Sequence, residues 1–285
     1  MKPAPFVYHA PKTVDDAVAK LAELGSRDGR ILAGGQSLIP MMAFRMARPA
    51  HLIDINSVAG LDRLAVEAGM LSIAACVRHA AFHRPVVTGP TGALLAAVVR
   101  NIAHYPIRLR GTFCGSLAHA DPASEWCLTA VTLGAKIVAA SLRGRRIIAA
   151  DDYFEGMMAT ALAEDELLLE TRLPLLAPDT HFGFYEFSRR AGDYALAMAL
   201  ITFRLQDGLI IEPRVGVGGA EGRPRRIAMA EAVLAGRRPD SESFRAAAEA
   251  AAEAVDPMED VHSDAEFRLD LVRAVTRRAL ERALA

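Results

Sequence analysis

Two short stretches carry residues suited to holding an anion. In the first, Leu32-Ala33-Gly34-Gly35-Gln36-Ser37-Leu38, an apolar run meets paired glycines, a polar pair and the start of a helical pattern. Paired glycines let the backbone approach a ligand closely and turn several N–H groups toward one point. A helix N-terminus beyond them adds partial positive charge suited to a pyrophosphate. By itself, Gly-Gly between a strand and a helix is also an ordinary turn. The second stretch, Ile107-Arg108-Leu109-Arg110-Gly111-Thr112-Phe113-Cys114-Gly115-Ser116-Leu117, continues through Ala118-His119-Ala120-Asp121-Pro122-Ala123-Ser124-Glu125. It reads as an irregular loop offering N–H and hydroxyl donors with little bulk. Together the two predict a pair of loops closing on one phosphorylated ligand. Asp121 and Glu125 would repel a pyrophosphate, so their functional role is to accept from ribose or base donors; Asp121 serves equally well as a helix cap.

Other constellations are weaker. His79 and His83 stand at i,i+4, a spacing that could share a metal, but no third ligand is near in sequence and they read as surface histidines. Gly216-Val217-Gly218-Gly219-Ala220-Glu221-Gly222 has a Glu where a dinucleotide fingerprint needs glycine and reads as a strand-end turn. Nothing has the form of a GxSxG nucleophile elbow. No residue is assigned as a general acid or base, and no metal site is expected.

The elements that must position the two loops alternate in the N-terminal part. Phe6–Tyr8 reads as an edge strand. A helix capped by Thr13, with Asp16 placed for a capping box, runs along Val14, Ala17, Val18, Leu21 and Leu24 to a stop at Gly25. Arg30–Ala33 and His51–Asn56 read as strands, with helical turns over Leu38–Met46 between them. Leu61–Glu67 and Met70–Ile73 form a hairpin at Ala68-Gly69. Thr91–Arg100 reads as a helix, and Asp121-Pro122 as the cap of another reaching Leu133. Strands follow at Lys136–Ala140, Arg146–Ala149 and Leu167–Leu173. After Pro174–Pro178 come consecutive strands at Phe182–Arg189, Leu196–Leu205 and Ile210–Val217, then helices over Glu242–Val255 and Asp264–Leu284.

The chain has 285 residues, 52% of them hydrophobic, and a formal net charge of −1. That apolar content excludes a disordered chain, the length favours two domains, and the near-neutral balance argues against a nucleic-acid partner. Only four of the 33 basic residues are lysine, an excess of arginine that reads as genome bias rather than anion recognition. Three scattered cysteines (Cys76, Cys114, Cys127), with no CxxC, suit neither a disulfide framework nor a thiolate metal site and point to a reducing compartment. The N-terminus shows no signal-peptide pattern and no run is long enough to span a membrane, so a soluble, cytoplasmic protein is expected.

AGGQSL at 33–38, IAHYPIRLRGTFCGSLAHADPASE at 102–125 and SRRAGDYALA at 188–197 resemble, in order and spacing, the FAD-binding medium subunit of the molybdenum hydroxylases, the family of xanthine dehydrogenase and carbon monoxide dehydrogenase. The resemblance spans essentially the whole chain. It implies an α+β fold: a two-subdomain α/β FAD-binding (PCMH-type) region over 1–176, divided near 56, then a C-terminal domain over 177–285 with a three-stranded antiparallel sheet and helices. It implies that non-covalent FAD has its pyrophosphate between Ala33, Gly34, Gly35, Gln36 and Ser37, flanked by Leu32 and Leu38, and Thr112, Phe113, Cys114, Gly115 and Ser116. Asp121 and Glu125 would fall near the adenosine end, Leu168 near the flavin ring, and Tyr194 against the isoalloxazine. Phe113-Cys114 replaces a common Ile-Gly pair, and Leu109 stands where Asn is frequent. The implied function is electron transfer from [2Fe–2S] clusters on a small subunit through FAD to an external acceptor. The molybdenum cofactor would sit on a large subunit, in a dimer of heterotrimers. A self-contained FAD oxidoreductase of the vanillyl-alcohol-oxidase or MurB type, or a flavin-free binding module, are the other readings.

Overall fold

The computed structural model describes residues 2–261 and 263–285. Three sheets in succession build the molecule. The first is parallel, in the order β1 (Val7–His9), β3 (His51–Asp54), β2 (Gly29–Leu32), crossed over by helix α1 (Val14–Leu24) and the short α2 (Leu38–Ala43). Thr13 caps α1 through Asp16 N–H, 3.1 Å, but the return half of the capping box is not formed. Gly25 does not stop the chain in a left-handed turn either. It is right-handed and opens a 3-10 turn, Gly25–Arg27, and Asp28 takes the positive φ. A Cβ at Gly25 would lie 2.7 Å from the Glu164 carbonyl oxygen, so close packing rather than φ selects glycine. Ala17, Val18, Leu21 and Leu24, the predicted face of α1, are buried against Ile53, Ile55 and, from the second sheet, Ala140 and Leu167.

The second sheet is antiparallel, in the order β4 (Leu64–Glu67), β5 (Met70–Ala74), β10 (Leu167–Pro174), β6 (Lys136–Ser141), β7 (Gly144–Ala149). Ala68 and Gly69 both have positive φ, the requirement of the tight hairpin turn expected there. Between β5 and β6 run α3 (Pro90–Val98), α4 (Tyr105–Arg108), α5 (Phe113–His119) and α6 (Glu125–Leu133); α7 (Ala150–Tyr153) and a small hairpin, β8 (Phe154–Gly156) with β9 (Ala159–Thr160), precede β10. Every residue of α6 from Trp126 to Leu133 is buried. A helix apolar on all sides must lie inside, and its two threonines satisfy their hydroxyls on carbonyls four residues back, Thr129 on Glu125 at 2.7 Å and Thr132 on Leu128 at 2.8 Å.

The third sheet carries the three expected strands, β11 (His181–Phe187), β12 (Ala197–Gln206) and β13 (Leu209–Gly218), plus a two-residue edge strand, β14 (Arg225–Arg226). The 216–222 glycines are indeed a strand end, with Gly219 at positive φ. Helices α8 (Ala228–Leu234), α9 (Ser241–Ala254) and α10 (Ala265–Ala283) cover one face. Asp240 and Ser243 form a full capping box on α9, and Asp264 caps α10. Its own core, built on Val215, Val217, Phe244, Val272 and Val275, is separate from the central one around Trp126, Phe113 and Phe82. Helix α6 bridges the two units, because it packs on β12 and β13 as well as on the second sheet. Its N-terminus therefore opens where the units meet.

Candidate functional site

The first wall of the site is the connection from β2 to α2. The side chain of Asn56 holds it by accepting nothing from it and donating to the Ala33 carbonyl, 2.8 Å, while Gln36 Nε2 donates to the Gly34 carbonyl, 3.1 Å. Gly35 has φ +72°. Among the described residues the backbone N–H groups of Gly34, Gly35, Gln36 and Ser37 find no protein acceptor. Four consecutive free donors in a turned backbone are a cradle for anionic oxygen.

The second wall is not the irregular loop expected from sequence. Residues 77–79 pair with 111–113: His79 N–H donates to the Gly111 carbonyl at 2.9 Å, Phe113 N–H to the Val77 carbonyl at 3.0 Å, and Arg78 bridges to Thr112. Thr112 then caps α5, its hydroxyl accepting from Gly115 N–H at 3.0 Å. Helical geometry carries Phe113 and Cys114 away from the ligand side. Phe113 packs on Trp126 and Phe82, at ring separations of 4.8 and 5.7 Å. Cys114 Sγ lies 3.3 Å from the Ile73 carbonyl, and burial pushes its thiol up to about 12. The Cβ that replaces a glycine at 114 therefore points into the core, where it meets no phosphate. The walls touch at Gly34, where a Cβ would stand 2.5 Å from the Arg110 carbonyl oxygen and 2.7 Å from Gly111 Cα.

Between these walls lies a cavity of about 410 Å³, lined by all of Leu32–Leu38 and by Thr112, Gly115 and Ser116. A second, of about 210 Å³, shares Gln36, Ser37, His79, Ser116 and His119 with the first and adds Asp121, Glu125 and Tyr194. The structure brings Asp121, Glu125 and Tyr194, which the resemblance assigned to different parts of the cofactor, to the lining of one cavity. Asp121 does not cap α6 either. Its carboxylate accepts from Ala123 N–H at 2.9 Å in a local turn, and Ser124 takes the cap position. Tyr194 is exposed, in a loop turned by Gly192, whose φ is +87° and where a Cβ would stand 2.4 Å from the His104 ring. Leu168 lines neither cavity; it is buried in the central core, opposite Ala139.

Three contributors to the site carry no sequence signal of their own. Asn56 and Arg78 hold the walls, and their single letters belong to no motif. His79, read above as a surface histidine, is 4% exposed and lines both cavities. The Trp126 indole N–H donates to its Nδ1 at 2.9 Å, and burial, with Arg108 and Arg78 nearby, pushes its pKa down to about 3. Glu125 meets Glu186 of β11 across the junction of the units. Burial first raises both, Glu125 to about 7 and Glu186 to about 9; the Glu125 charge and hydrogen bond raise Glu186 further, whereas that same hydrogen bond lowers Glu125, whose second raising cause is the Asp121 charge. Both residues are half-buried, and two carboxyls in contact, each raised by desolvation, favour holding a proton between them. Among the described residues no three His, Cys, Asp or Glu side chains converge to hold a metal ion, and the three cysteines are buried and free.

A two-walled, glycine-lined anion cleft between a small parallel sheet and an antiparallel one, followed by a β-sheet unit under helices, defines a dinucleotide-binding flavoprotein scaffold. The chain belongs to the family of FAD-binding medium subunits of molybdenum hydroxylases. Residues 4–176 match the family model of the FAD binding domain in molybdopterin dehydrogenase, and residues 182–283 that of the CO dehydrogenase flavoprotein C-terminal domain. It is 39% identical to the nicotine 6-hydroxylase medium subunit of Paenarthrobacter nicotinovorans, over 98% of each chain. Its fold superposes on a chain of carbon monoxide dehydrogenase from Hydrogenophaga pseudoflava with a TM-score of 0.95, at 36% identity, covering 100% of this chain and 99% of the other. On quinoline 2-oxidoreductase from Pseudomonas putida 86 the TM-score is 0.92 at 37% identity, with the same coverage.

Proposed function

We propose that this chain is the electron-transfer subunit of a molybdenum hydroxylase, with FAD lying along the two cavities. The observation that carries the reading is the row of four unpartnered N–H groups at Gly34–Ser37, set against the Thr112–Ser116 turn with no room for a Cβ at Gly34. The pyrophosphate fits between these walls, the adenosine half in the larger cavity, and the isoalloxazine in the smaller one against Tyr194. Glu125 and Asp121 then face the hydrogen-bonding edge of the ring rather than the adenosine, and Tyr194 covers a ring face from solvent. FAD, when bound, supplies exchange between one-electron and two-electron partners, while the protein sets its position, polarity and access.

The electron source is assigned to [2Fe–2S] clusters on a small partner subunit, since Cys76, Cys114 and Cys127 are buried and free and three cysteines fall short of the four thiolates such a cluster takes. The molybdenum cofactor is assigned to a large subunit, and the assembly to a dimer of heterotrimers; the relatives' names, medium subunit and medium chain, place them in multi-subunit enzymes. We divide the chain near residue 176, with subdomains meeting near 56, on the separate cores of the successive sheets. No helix among the described residues is long and apolar enough to cross a membrane. The cytoplasm is the compartment that keeps three such thiols reduced. No feature of the structure favours the self-contained oxidoreductase or the flavin-free module. Co-purification from the native cell tests the reading: a flavin-containing chain accompanied by iron–sulfur and molybdenum subunits is expected, and a flavin-free chain recovered alone would overturn it.

A further inference from the structure

The geometry points to His79 as a binding residue for the cofactor: its Nε2–H is a fixed, uncharged donor to an acceptor oxygen of the dinucleotide where the ligand passes from the larger cavity to the smaller. This rests on the FAD reading above. Indole nitrogen is a donor only, so the Trp126 Nε1–H to His79 Nδ1 bond, 2.9 Å, makes Nδ1 the acceptor and leaves the proton on Nε2. Trp126 is fully buried and lines neither cavity, so it acts on the ligand only through this ring. The ring cannot turn away. Its own backbone N–H is tied to Gly111, and the imidazole edge fills the space beside Gly111 Cα, where a Cβ would come within 2.5 Å of Nε2.

Nε2 is then the unusual atom. The residue is 4% exposed, yet among the described residues Nε2 has no protein acceptor, and the surface it keeps belongs to both cavities. A donor without a protein acceptor among the described residues, on a side chain that lines two adjoining cavities, marks a place for an external acceptor. The imidazole is neutral there, because burial and the neighbouring Arg78 and Arg108 charges oppose a second proton. It supplies direction without adding net charge to a wall that already holds guanidinium groups.

The test uses the full chain, purified without flavin, and FAD as probe. Flavin binding is followed by fluorescence quenching for wild type, His79→Gln, His79→Leu and Trp126→Phe. The Gln amide offers both an acceptor for Trp126 and a donor to the ligand, and should hold FAD within about threefold of wild type. His79→Leu should weaken binding on the order of tenfold, the usual size for one lost hydrogen bond. Trp126→Phe frees Nδ1 to take the proton, so the tautomers mix and affinity falls although no group facing the ligand has changed. Histidine 15N spectra of wild type give a second readout that needs no variant: Nε2 protonated and Nδ1 bare before FAD is added, and a shift confined to the Nε2–H on addition. FAD held by His79→Leu as tightly as by wild type, or an Nε2–H signal unmoved by saturating FAD, overturns the proposal and leaves the flavin reading standing. A wild-type chain that takes up no FAD overturns both.

Discussion

Asn56 and Arg78 join the two walls of the cleft through one side-chain hydrogen bond, 2.5 Å from the Arg78 guanidinium to Asn56 Oδ1. Each also holds a wall: Asn56 donates to the Ala33 carbonyl at 2.8 Å and Arg78 to the Arg110 carbonyl at 2.6 Å. The separation of the glycine turn from the Thr112 turn is thereby set by two residues that line neither cavity. Removing either should leave the fold intact and loosen the cleft. Asn56→Ala and Arg78→Ala are each expected to cost about 1–2 kcal/mol of flavin binding, on the order of tenfold in Kd. Arg78→Lys should not recover it, because a lysine lacks the fork that reaches Asn56 and Arg110 together. Flavin titration with circular dichroism as a fold control reads both.

Gly34→Ala should abolish flavin retention. Its Cβ would stand 2.5 Å from the Arg110 carbonyl oxygen, a backbone atom that moves only if the walls part. Gly156→Ala is the control, since nothing lies within 4 Å of a Cβ there and its φ is not positive. Equal flavin content in the two purified variants would show that the contact at Gly34 does not set the cleft.

The thiols should be silent in the folded protein. Cys114 is pushed up to about 12 and Cys76 to about 11, and Cys127 is raised as well, in each case mainly by burial. The thiolate is the reactive form, so a thiol reagent near neutral pH should label none of the three until denaturant is added, and then all of them. Labelling of Cys114 in the native chain would place it on the cleft surface after all.

Stability should fall as pH rises through the Glu125–Glu186 range. Both carboxyls keep protons in the folded chain to about 7 and about 9, whereas in the unfolded chain they ionise near 4.5. The folded state binds more protons over that interval, so the pair's contribution, intact below the unfolded value, is lost progressively toward alkaline pH. His79 has the opposite sign. Its folded pKa near 3 lies below the ordinary imidazole value of 6.5, so it destabilises the fold as pH drops below 6.5. Denaturant midpoints measured across pH should show both limbs. Glu186→Gln, which can donate permanently to Glu125, should flatten the alkaline one; an unchanged slope would mean the carboxyls do not share a proton.

Much of this architecture was legible in the chain, for reasons that are local. The α1 face, the Ala68-Gly69 hairpin turn and the strands after Pro178 follow from periodicity and from residues that tolerate positive φ. Misreadings arose where a residue's role depends on what lies across from it. Gly25 looked like a helix stop and is a close contact with Glu164. The segment after Thr112 looked irregular because small and polar residues at 115–116 hide a helix whose apolar side, Phe113, Cys114 and Leu117, is only three residues wide. Asp121 and Glu125 could be assigned to a ligand but not to the end of it.

Length, the two glycine turns and the three spaced motifs determined, from sequence alone, the family and where the two turns fall, because backbone freedom at glycine and motif order are properties of the chain itself. Tertiary structure decided which side chains line the two cavities. His79 lies 32 positions from Gly111 and 47 from Trp126, and neither pairing leaves a trace in local pattern. Only folding buries its ring between them, brings the Trp126 indole N–H to its Nδ1 and sets the residue in the lining of both cavities.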